Sequence, residues 1–249
     1  HPGSAYAEVL ADAPAPVPVH VLGGGRAGTP IALLGHLVRR RPDVLLAYLA
    51  GPNLASLVGR LPGTGRPLVV WGIRSTTLRG ADETRLGRAV GRLEPWGSRA
   101  AHLAVANSTA GRDDAVARGF RVPIAVVPNG IDVDRFDPGR CAELRSPARA
   151  ALDVDPATAV ILFSAYNPRL KGLGPLLRAG AKMIRGGVRL RIVAIGGEPD
   201  AALRADIASL GLGSAYSHLG DIADPISCYA AADAFALPTY YDAGSLTAL

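Results

Sequence analysis

Short apolar runs alternate along the chain with segments in which apolar residues recur every three to four positions. The apolar runs predict strands at residues 17–22, 44–49, 68–71, 103–106, 124–127, 160–164, 190–195 and 234–237. The segments between them predict helices at residues 30–40, 54–60, 84–99, 175–184 and 201–210. Because strands that are apolar on both faces need helices on each side, the pattern predicts an α/β fold with largely parallel sheets.

One polar stretch, from Asp132 to Asp155, interrupts this alternation and follows a strand and a tight turn at residues 121–130. We therefore predict two Rossmann-like domains, residues 1–121 and 122–249, that face a cleft. Open α/β sheets bind ligands outside the carboxyl ends of their strands, so the chemistry is expected at those ends.

The composition is that of a folded chain with an aliphatic core, because 49% of the residues are hydrophobic and only 5% are aromatic. The two cysteines, Cys141 and Cys228, match no disulfide or metal spacing and are interpreted as thiols of a reducing compartment. No run approaches the roughly 18 to 20 apolar residues that span a bilayer, and no signal-peptide pattern is present. We expect a cytoplasmic protein, with peripheral contact to the inner face of the membrane as a further expectation.

The net charge of +6 is concentrated in the first half of the chain. Residues 1–125 contain 15 arginines and 8 acidic residues, whereas residues 126–249 contain 12 basic and 13 acidic residues. Such a surface suits an anionic partner, although solvated arginines are the alternative. Arg85, Arg88 and Arg92 recur on one face of a predicted helix and would suit an anionic membrane that carries a glycolipid. A solvated helix face is the alternative interpretation of this stripe.

Gly23, Gly25 and Gly28 match the dinucleotide motif G-x-G-x-x-G between a predicted strand and a helix. Such a site also needs an acid at the end of the next strand, and Asp43 lies at the wrong end. A flexible loop is therefore favoured, and NAD binding is kept as a weak third hypothesis.

Two Asp-x-Asp pairs, at residues 132–134 and 153–155, match a metal-binding signature, but both are interpreted as acids in turns. Residues 107–109 form a glycosylation sequon. Without a secretory signal, Asn107 or Ser108 is expected to cap a helix instead.

The strand predicted at residues 160–164 is followed by Arg169 and Lys171, in a loop that leads into a helix. A basic pair in this place is suited to a diphosphate, because lysine acts as a point charge and arginine donates two parallel hydrogen bonds. Ordinary surface charge is the alternative.

A second strand end, at residues 234–237, leads into a turn with Asp242 and then into a helix. The free N–H groups of Gly244, Ser245 and Leu246 would form an anion site at the helix N-terminus. Asp242 would accept hydrogen bonds from sugar hydroxyls, or else simply cap the helix.

Taken in order, these segments resemble the GT4 family of retaining glycosyltransferases, from Pro42 to Leu249. The segments that match are 105–108, 126–132 with Phe136, 171–172, 218–221, 229–234 and 237–239 with Asp242. The loop at 167–172 and the turn at 241–242 look most like the branch that builds lipopolysaccharide cores. The resemblance implies a GT-B fold whose second domain holds a nucleotide sugar.

The resemblance also assigns the diphosphate site. Lys171 and Gly172 match the lysine segment of the family, whereas the arginine of the family falls at Tyr166. Arg169 is expected to replace that arginine. With these cations in place, no metal and no other cofactor is required.

For the rest of the donor, the resemblance implies that Asp242 contacts the transferred sugar and that the amides of Ser245 and Leu246, beside Gly244, meet the phosphate. The loop at Gly220 and Asp221 matches the region whose backbone contacts the base.

The second acid of the family motif, which holds the ribose, would fall one residue beyond Leu249. Since His1 is not an initiator methionine either, we expect a fragment cut at both ends, with both domains incomplete and no activity of its own.

The resulting prediction is a hexosyltransferase-type enzyme that moves a sugar, with retained configuration, from a nucleotide diphosphate sugar to a saccharide or glycolipid acceptor. Arg74, which follows a predicted strand, is placed on the acceptor side, with an ordinary surface arginine as the alternative. No nucleic-acid partner is expected. The alternative function is a non-catalytic GT-B-like module that binds a nucleotide or glycan, which Tyr166 favours.

Overall fold

The computed structural model describes residues 20, 22, 25–74 and 85–240 of the 249-residue chain. The chain divides into two compact units, His1–Pro128 and Asn129–Leu249. The strand predicted at 17–22 lies largely outside the described residues, as does the first half of the dinucleotide-like glycine motif. The predicted site residues that lie outside them are Asp242, Gly244, Ser245 and Leu246.

Within its described residues, the first unit contains one parallel sheet of four strands with helices between them. Its elements are α1 (Gly25–Arg40), β1 (Val44–Tyr48), α2 (Ala50–Ser56), β2 (Leu68–Ile73), α3 (Arg85–Gly97), β3 (Leu103–Ala106), α4 (Thr109–Ala117) and β4 (Ile124–Val126), with 3-10 turns at Leu57–Arg60 and Ser98–Ala100. The strand order is β1-β2-β3-β4. Val69 and Trp71 on β2 and Ala104 on β3 are fully buried, so the sheet carries the core as its apolar strands predict.

The division between the units differs from the predicted boundary after Arg121. Strand β4 pairs in parallel with β3, with Ala104 opposite Ile124 and Ala106 opposite Val126. Residues 124–126 therefore belong to the first unit, and the division falls after Pro128. The sequence signal for a boundary was the polar stretch that begins at Asp132, and it did not indicate which sheet the preceding strand joins.

Up to Tyr240, where the described part of the chain ends, the second unit contains another four-stranded parallel sheet. Its elements are α5 (Pro138–Ala151), β5 (Ala159–Ala165), α6 (Leu173–Arg185), β6 (Leu190–Gly196), α7 (Ala201–Leu210), β7 (Tyr216–His218), α8 (Ile226–Ala231) and β8 (Ala234–Phe235), with a 3-10 turn at Gly213–Ala215. The strand order is β7-β6-β5-β8. Leu162 and Ile192 on the two central strands and Leu173 and Leu177 on α6 are fully buried.

Capping side chains fix where several helices begin. Ser108, Asp137 and Asp200 each accept a hydrogen bond from the N–H three residues further on, at 3.0, 3.0 and 2.8 Å. The prediction that residue 107 or 108 caps a helix is thus confirmed, with Ser108 as the cap of α4. At the other end of α7, Gly211 adopts φ 62°, a left-handed conformation that commonly ends a helix.

Helix α5 lies inside the stretch that the sequence analysis interpreted only as a polar separator. One of its arginines makes interior contacts: Arg149 is 8% exposed and donates to the carbonyl oxygens of Ala231 and Thr158 at 3.1 and 2.6 Å. Its Nη1 also donates to Asp233 Oδ2 at 3.2 Å. Hydropathy patterns treat arginine as an exposed residue, so they do not predict a helix that packs through an arginine.

Both Asp-x-Asp pairs lie in turns, as predicted. Asp132 accepts a hydrogen bond from the N–H of Arg135 at 3.0 Å, and Asp155 accepts one from the N–H of Ala157 at 2.7 Å. Across residues 25–74 and 85–240, no helix combines the length and apolar content that crossing a bilayer requires.

Candidate functional site

The strand order of the second sheet creates a topological switch point. The chain passes from β5 to β6 on one side and later returns to β8 on the other side of β5. In open α/β sheets, the crevice at such a point is where ligands bind. We call the loops that follow β5, β6, β7 and β8 the carboxyl edge of the second sheet.

The structure brings the loop after β5 into direct contact with the residues after β8. The carbonyl oxygen of Leu170 accepts a hydrogen bond from the N–H of Tyr240 at 3.3 Å and from Thr239 Oγ1 at 3.5 Å. Gly172 adopts φ 84°, and a Cβ at this position would overlap the carbonyl oxygen of Pro238. The basic loop and the start of the predicted sugar-binding turn are therefore neighbours.

Local hydrogen bonds fold the basic loop into a tight turn. Asn167 Oδ1 accepts from the N–H of Leu170 at 3.1 Å, and the Asn167 carbonyl accepts from the N–H of Lys171 at 3.1 Å. Lys171 is half-buried within this turn, and Gly172 in its left-handed conformation begins α6. The lysine is thus carried on a fixed backbone at the switch point.

Arg169, the expected substitute for the family arginine, forms a bidentate ion pair with Asp200. Its Nε lies 2.6 Å from Asp200 Oδ2 and its Nη2 lies 3.0 Å from Oδ1. The hydrogen bond from Arg169 and that from the N–H of Leu203 lower the pKa of Asp200 from 3.8 to about 2. Tyr166, which occupies the family arginine position, is 88% exposed.

The loop after β6 contributes a part of this edge that the sequence analysis missed. A Cβ at Gly196 would overlap the carbonyl oxygen of Ala165, and one at Gly197 would overlap that of Tyr166. The two glycines therefore let the β6 loop lie directly against the β5 loop. A Gly-Gly pair immediately after an apolar strand is the sequence signal that could have revealed it.

Gly220, which the resemblance placed near the base, follows β7 with φ 71°. Its carbonyl oxygen accepts from the N–H of Gly196 at 2.8 Å, so the loops after β6 and β7 are joined by a main-chain hydrogen bond. Asp221 follows and is exposed.

Glu198 and His218 also meet at this edge. His218 Nε2 lies 3.5 Å from Glu198 Oε1; the imidazole side chain is 13% exposed, whereas the carboxylate side chain is 72% exposed. Burial, and then the negative charge of Glu198, raise the pKa of the nearby Tyr216 to about 12. Glu198 thus presents charge both to solvent and to the side chains beneath it.

At the first sheet, Arg74 follows β2 and its guanidinium lies 5.0 Å from the centre of the Tyr48 ring. Asn107 follows β3, its N–H donates to the carbonyl of Ile73 at 3.3 Å, and its side-chain oxygen is buried without a hydrogen-bond partner among the described residues. Arg74 and Asn107 therefore both lie at the carboxyl ends of their strands, as the acceptor-side prediction requires of Arg74.

Within the described residues, no group of three or more His, Cys, Asp or Glu side chains is arranged to hold a metal ion. Arg169 and Lys171 lie in the loop at the switch point, and the expectation of metal-free chemistry stays a prediction.

The sequence profile of glycosyltransferase family 4 matches residues 1–135, more than half of the chain. The chain therefore belongs to glycosyltransferase family 4, and the resemblance proposed from its motifs is confirmed.

Among curated proteins, the D-inositol 3-phosphate glycosyltransferase of Rhodococcus jostii is 33% identical over 158 residues, which cover 58% of this chain and 34% of that protein. The protein of the same name from Rhodococcus erythropolis is 35% identical over 136 residues, which cover 51% of this chain and 30% of that protein. The match thus spans about a third of these relatives.

Solved structures show the same architecture. Anabaena Alr3699/HepE in complex with UDP-glucose aligns with a TM-score of 0.74 at 20% identity, over 95% of this chain and 64% of that one. WaaG, a glycosyltransferase involved in lipopolysaccharide biosynthesis, aligns with a TM-score of 0.66 at 17% identity, over 90% of this chain and 61% of that one. The GT-B fold is confirmed. The assignment to the lipopolysaccharide branch stays a prediction, because the curated sequence relatives carry a different activity.

Proposed function

We propose that the whole protein transfers a sugar, with retained configuration, from a nucleotide diphosphate sugar to a saccharide or glycolipid acceptor. Membership of glycosyltransferase family 4 supports the transfer reaction. The likeness to Anabaena Alr3699/HepE, whose structures contain UDP and UDP-glucose, supports a nucleotide sugar as the donor.

The contact between the loops after β5 and β8 carries this proposal. Leu170 and Tyr240 are joined by a main-chain hydrogen bond, and Gly172 packs against Pro238. The loop that carries Arg169 and Lys171 thus contacts the segment that precedes the predicted amide site in the sequence, which supports the proposal. A pyrophosphate needs both cations and N–H donors, and a switch point is where such ligands bind.

In the proposed mechanism, the acceptor hydroxyl attacks on the face from which the diphosphate leaves. The protein then has to stabilise the negative charge that develops on the leaving group. Lys171 supplies a point charge from a turn that is already folded, so little reorganisation is needed during the reaction. Arg169 supplies a second charge, and binding of the diphosphate would compete with Asp200 for its donors.

The test is calorimetric binding of UDP, GDP and ADP to the whole protein, with turnover of the matching nucleotide sugars. Lys171→Ala should lower kcat by about 100-fold, the usual effect of removing one group that stabilises transition-state charge. Lys182→Ala is the matched control, because Lys182 is exposed near the end of α6 and away from this edge. If the wild type bound none of these nucleotides, or if both lysine variants behaved alike, the proposal would be wrong.

A second candidate, a non-catalytic binding module, is favoured by the exposed Tyr166 at the family arginine position and by the pairing of Arg169 with Asp200. A module would bind nucleotide or glycan, show no turnover in the wild type, and keep its glycan binding in Lys171→Ala. Turnover in the wild type would eliminate it.

For the acceptor, we propose that Arg74 contributes to its binding, supported by the position of Arg74 at the end of β2. Arg74→Gln should then raise KM for the acceptor and leave KM for the donor unchanged. An equal change in both values would argue against an acceptor role.

We further propose that α3 contacts anionic membrane surfaces. Arg85, Arg88 and Arg92 are exposed on this helix, and so are the apolar side chains of Leu93 and Trp96, which are 54% and 71% exposed. Exposed apolar and basic residues on one helix are typical of interfacial helices.

Sedimentation with vesicles tests the membrane proposal. Binding should require phosphatidylserine or phosphatidylglycerol and should weaken both in Trp96→Ser and in Arg88→Gln/Arg92→Gln. Equal binding to pure phosphatidylcholine vesicles, or no effect of either variant, would refute it.

A further inference from the structure

Glu198 occupies a fixed place on the carboxyl edge of the second sheet. The two residues before it, Gly196 and Gly197, lie so close to the β5 loop that any side chain there would overlap its main chain. The hydrogen bond from Gly196 N–H to the Gly220 carbonyl, at 2.8 Å, holds the same segment to the β7 loop. Glu198 therefore follows a backbone that is held on both sides.

The side chain of Glu198 lies over the segment that the family resemblance places at the base. A Cβ built on Gly220 would lie 3.7 Å from Glu198 Oε1. The carboxylate therefore lies close to the Gly220 backbone, at a distance from this Cβ position that corresponds to ordinary van der Waals contact. Because the carboxylate side chain is 72% exposed, it is accessible to a ligand that enters this edge.

His218 supports the carboxylate from below. Its Nε2 lies 3.5 Å from Glu198 Oε1, within ion-pair distance but without hydrogen-bond alignment. Neither ring nitrogen has a hydrogen-bond partner among the described residues, although both are shielded from solvent. Buried polar atoms are normally satisfied, so Glu198 is the group toward which this imidazole is oriented.

We propose that Glu198 contacts the nucleobase of the donor and that His218 is a positioning residue that holds its carboxylate. This inference rests on the proposed function, since it assumes that a nucleotide binds at this edge. A carboxylate only accepts hydrogen bonds, and guanine alone among the common bases presents two adjacent donors, N1–H and N2–H₂. Uracil presents one donor between two carbonyl oxygens, which a carboxylate repels, so Glu198 favours guanine over uracil.

The experiment measures the affinities of GDP, UDP and ADP for the whole protein by calorimetry. Glu198→Gln replaces the carboxylate by a group that both donates and accepts, so it should lower the ratio of GDP affinity to UDP affinity by about tenfold or more, the scale of one polar base contact. His218→Phe should lower the same ratio, whereas His218→Gln, which keeps a donor, should largely preserve it. Asp206→Asn, an equal charge change on exposed α7, is the control.

The outcomes separate this inference from the proposed function. If the wild type binds nucleotides and Glu198→Gln changes all three affinities by one common factor, or changes none, the base contact is wrong while the transferase proposal stands. If the wild type binds none of the three, the proposed function itself is contradicted. A loss of selectivity in His218→Phe counts only if its thermal unfolding matches that of the wild type; if that variant is destabilised, His218→Gln and Glu198→Gln decide the result.

Discussion

The buried Arg149 in α5 gives the sharpest stability prediction for the second unit. Its guanidinium donates to the main-chain oxygens of Ala231 and Thr158 and to Asp233. Asp233 also accepts from the N–H of Val160 at 2.7 Å and from Arg145. This network joins α5 to the starts of β5 and β8, which are neighbours in the sheet.

Arg149→Ala should destabilise the second unit by about 3 kcal/mol. Breaking a buried charge pair typically costs about 3–5 kcal/mol. The lower end applies because Asp233 is 39% exposed and keeps Arg145 as a partner. Arg145→Ala is the matched control: it lies one turn away on the same helix and contacts the same acid, but it is itself 39% exposed, so about 1 kcal/mol is expected.

Urea unfolding followed by far-ultraviolet circular dichroism measures the difference. With a slope of about 2 kcal/mol per molar, typical of a domain of this size, Arg149→Ala should shift the midpoint by about 1.5 M. Both tryptophans, Trp71 and Trp96, lie in the first unit, so tryptophan fluorescence reports on the other half of the chain. Equal midpoints for Arg149→Ala and Arg145→Ala would refute the reasoning, because burial would then not determine the contribution of these arginines.

Gly172→Ala should lower the melting temperature and weaken nucleotide binding more than Gly211→Ala does. Both glycines have positive φ, but only at Gly172 would a Cβ overlap Pro238. Equal effects of the two variants would show that the contact between the loops after β5 and β8 is unimportant. Asp200 has a pKa of about 2, below its ordinary value of 3.8. Its ion pair with Arg169 therefore stabilises the fold at pH values above 3.8, and this stabilisation is lost as the pH falls toward 2. In Arg169→Gln, the titration midpoint of the Asp200 carboxyl, measured by NMR, should move up toward 3.8, whereas Arg185→Gln should leave it unchanged. In the first unit, Glu94→Ala should lower the free energy of unfolding, followed by tryptophan fluorescence, by about 3 kcal/mol. The substitution removes the carboxylate partner of the buried Asn53 and leaves the partly buried Arg118 with only the longer contact to Asp114, at 3.9 Å. A loss below about 1 kcal/mol would contradict this.

The apolar strands were predictable because their hydrophobic residues are continuous. The strand at 103–106 was predicted with the bounds that the structure has. The strands predicted at 160–164 and 190–195 are longer in the structure by two residues and one residue, respectively. The elements that were missed are held by features that hydropathy does not register. Helix α5 packs through Arg149, and β7 is a three-residue strand that pairs with β6 through Tyr216 to His218.

The site was predictable only in part for a related reason. Lys171 and Gly172 belong to a motif that is contiguous in sequence, so its position could be inferred directly. The pairing of Arg169 with Asp200 and the approach of Glu198 to His218 join residues that are far apart in sequence. Such contacts depend on which strands are neighbours, and no local pattern encodes that order.

The two glycines at 196 and 197 restrict how the proposed nucleotide site could be redesigned. A randomised library that includes these positions would consist mostly of unfolded or displaced loops, since every side chain larger than hydrogen meets the main chain of residues 165 and 166. Substitutions are better placed at the neighbouring positions Glu198 and Asp221, because their side chains are exposed and can be replaced without moving the backbone.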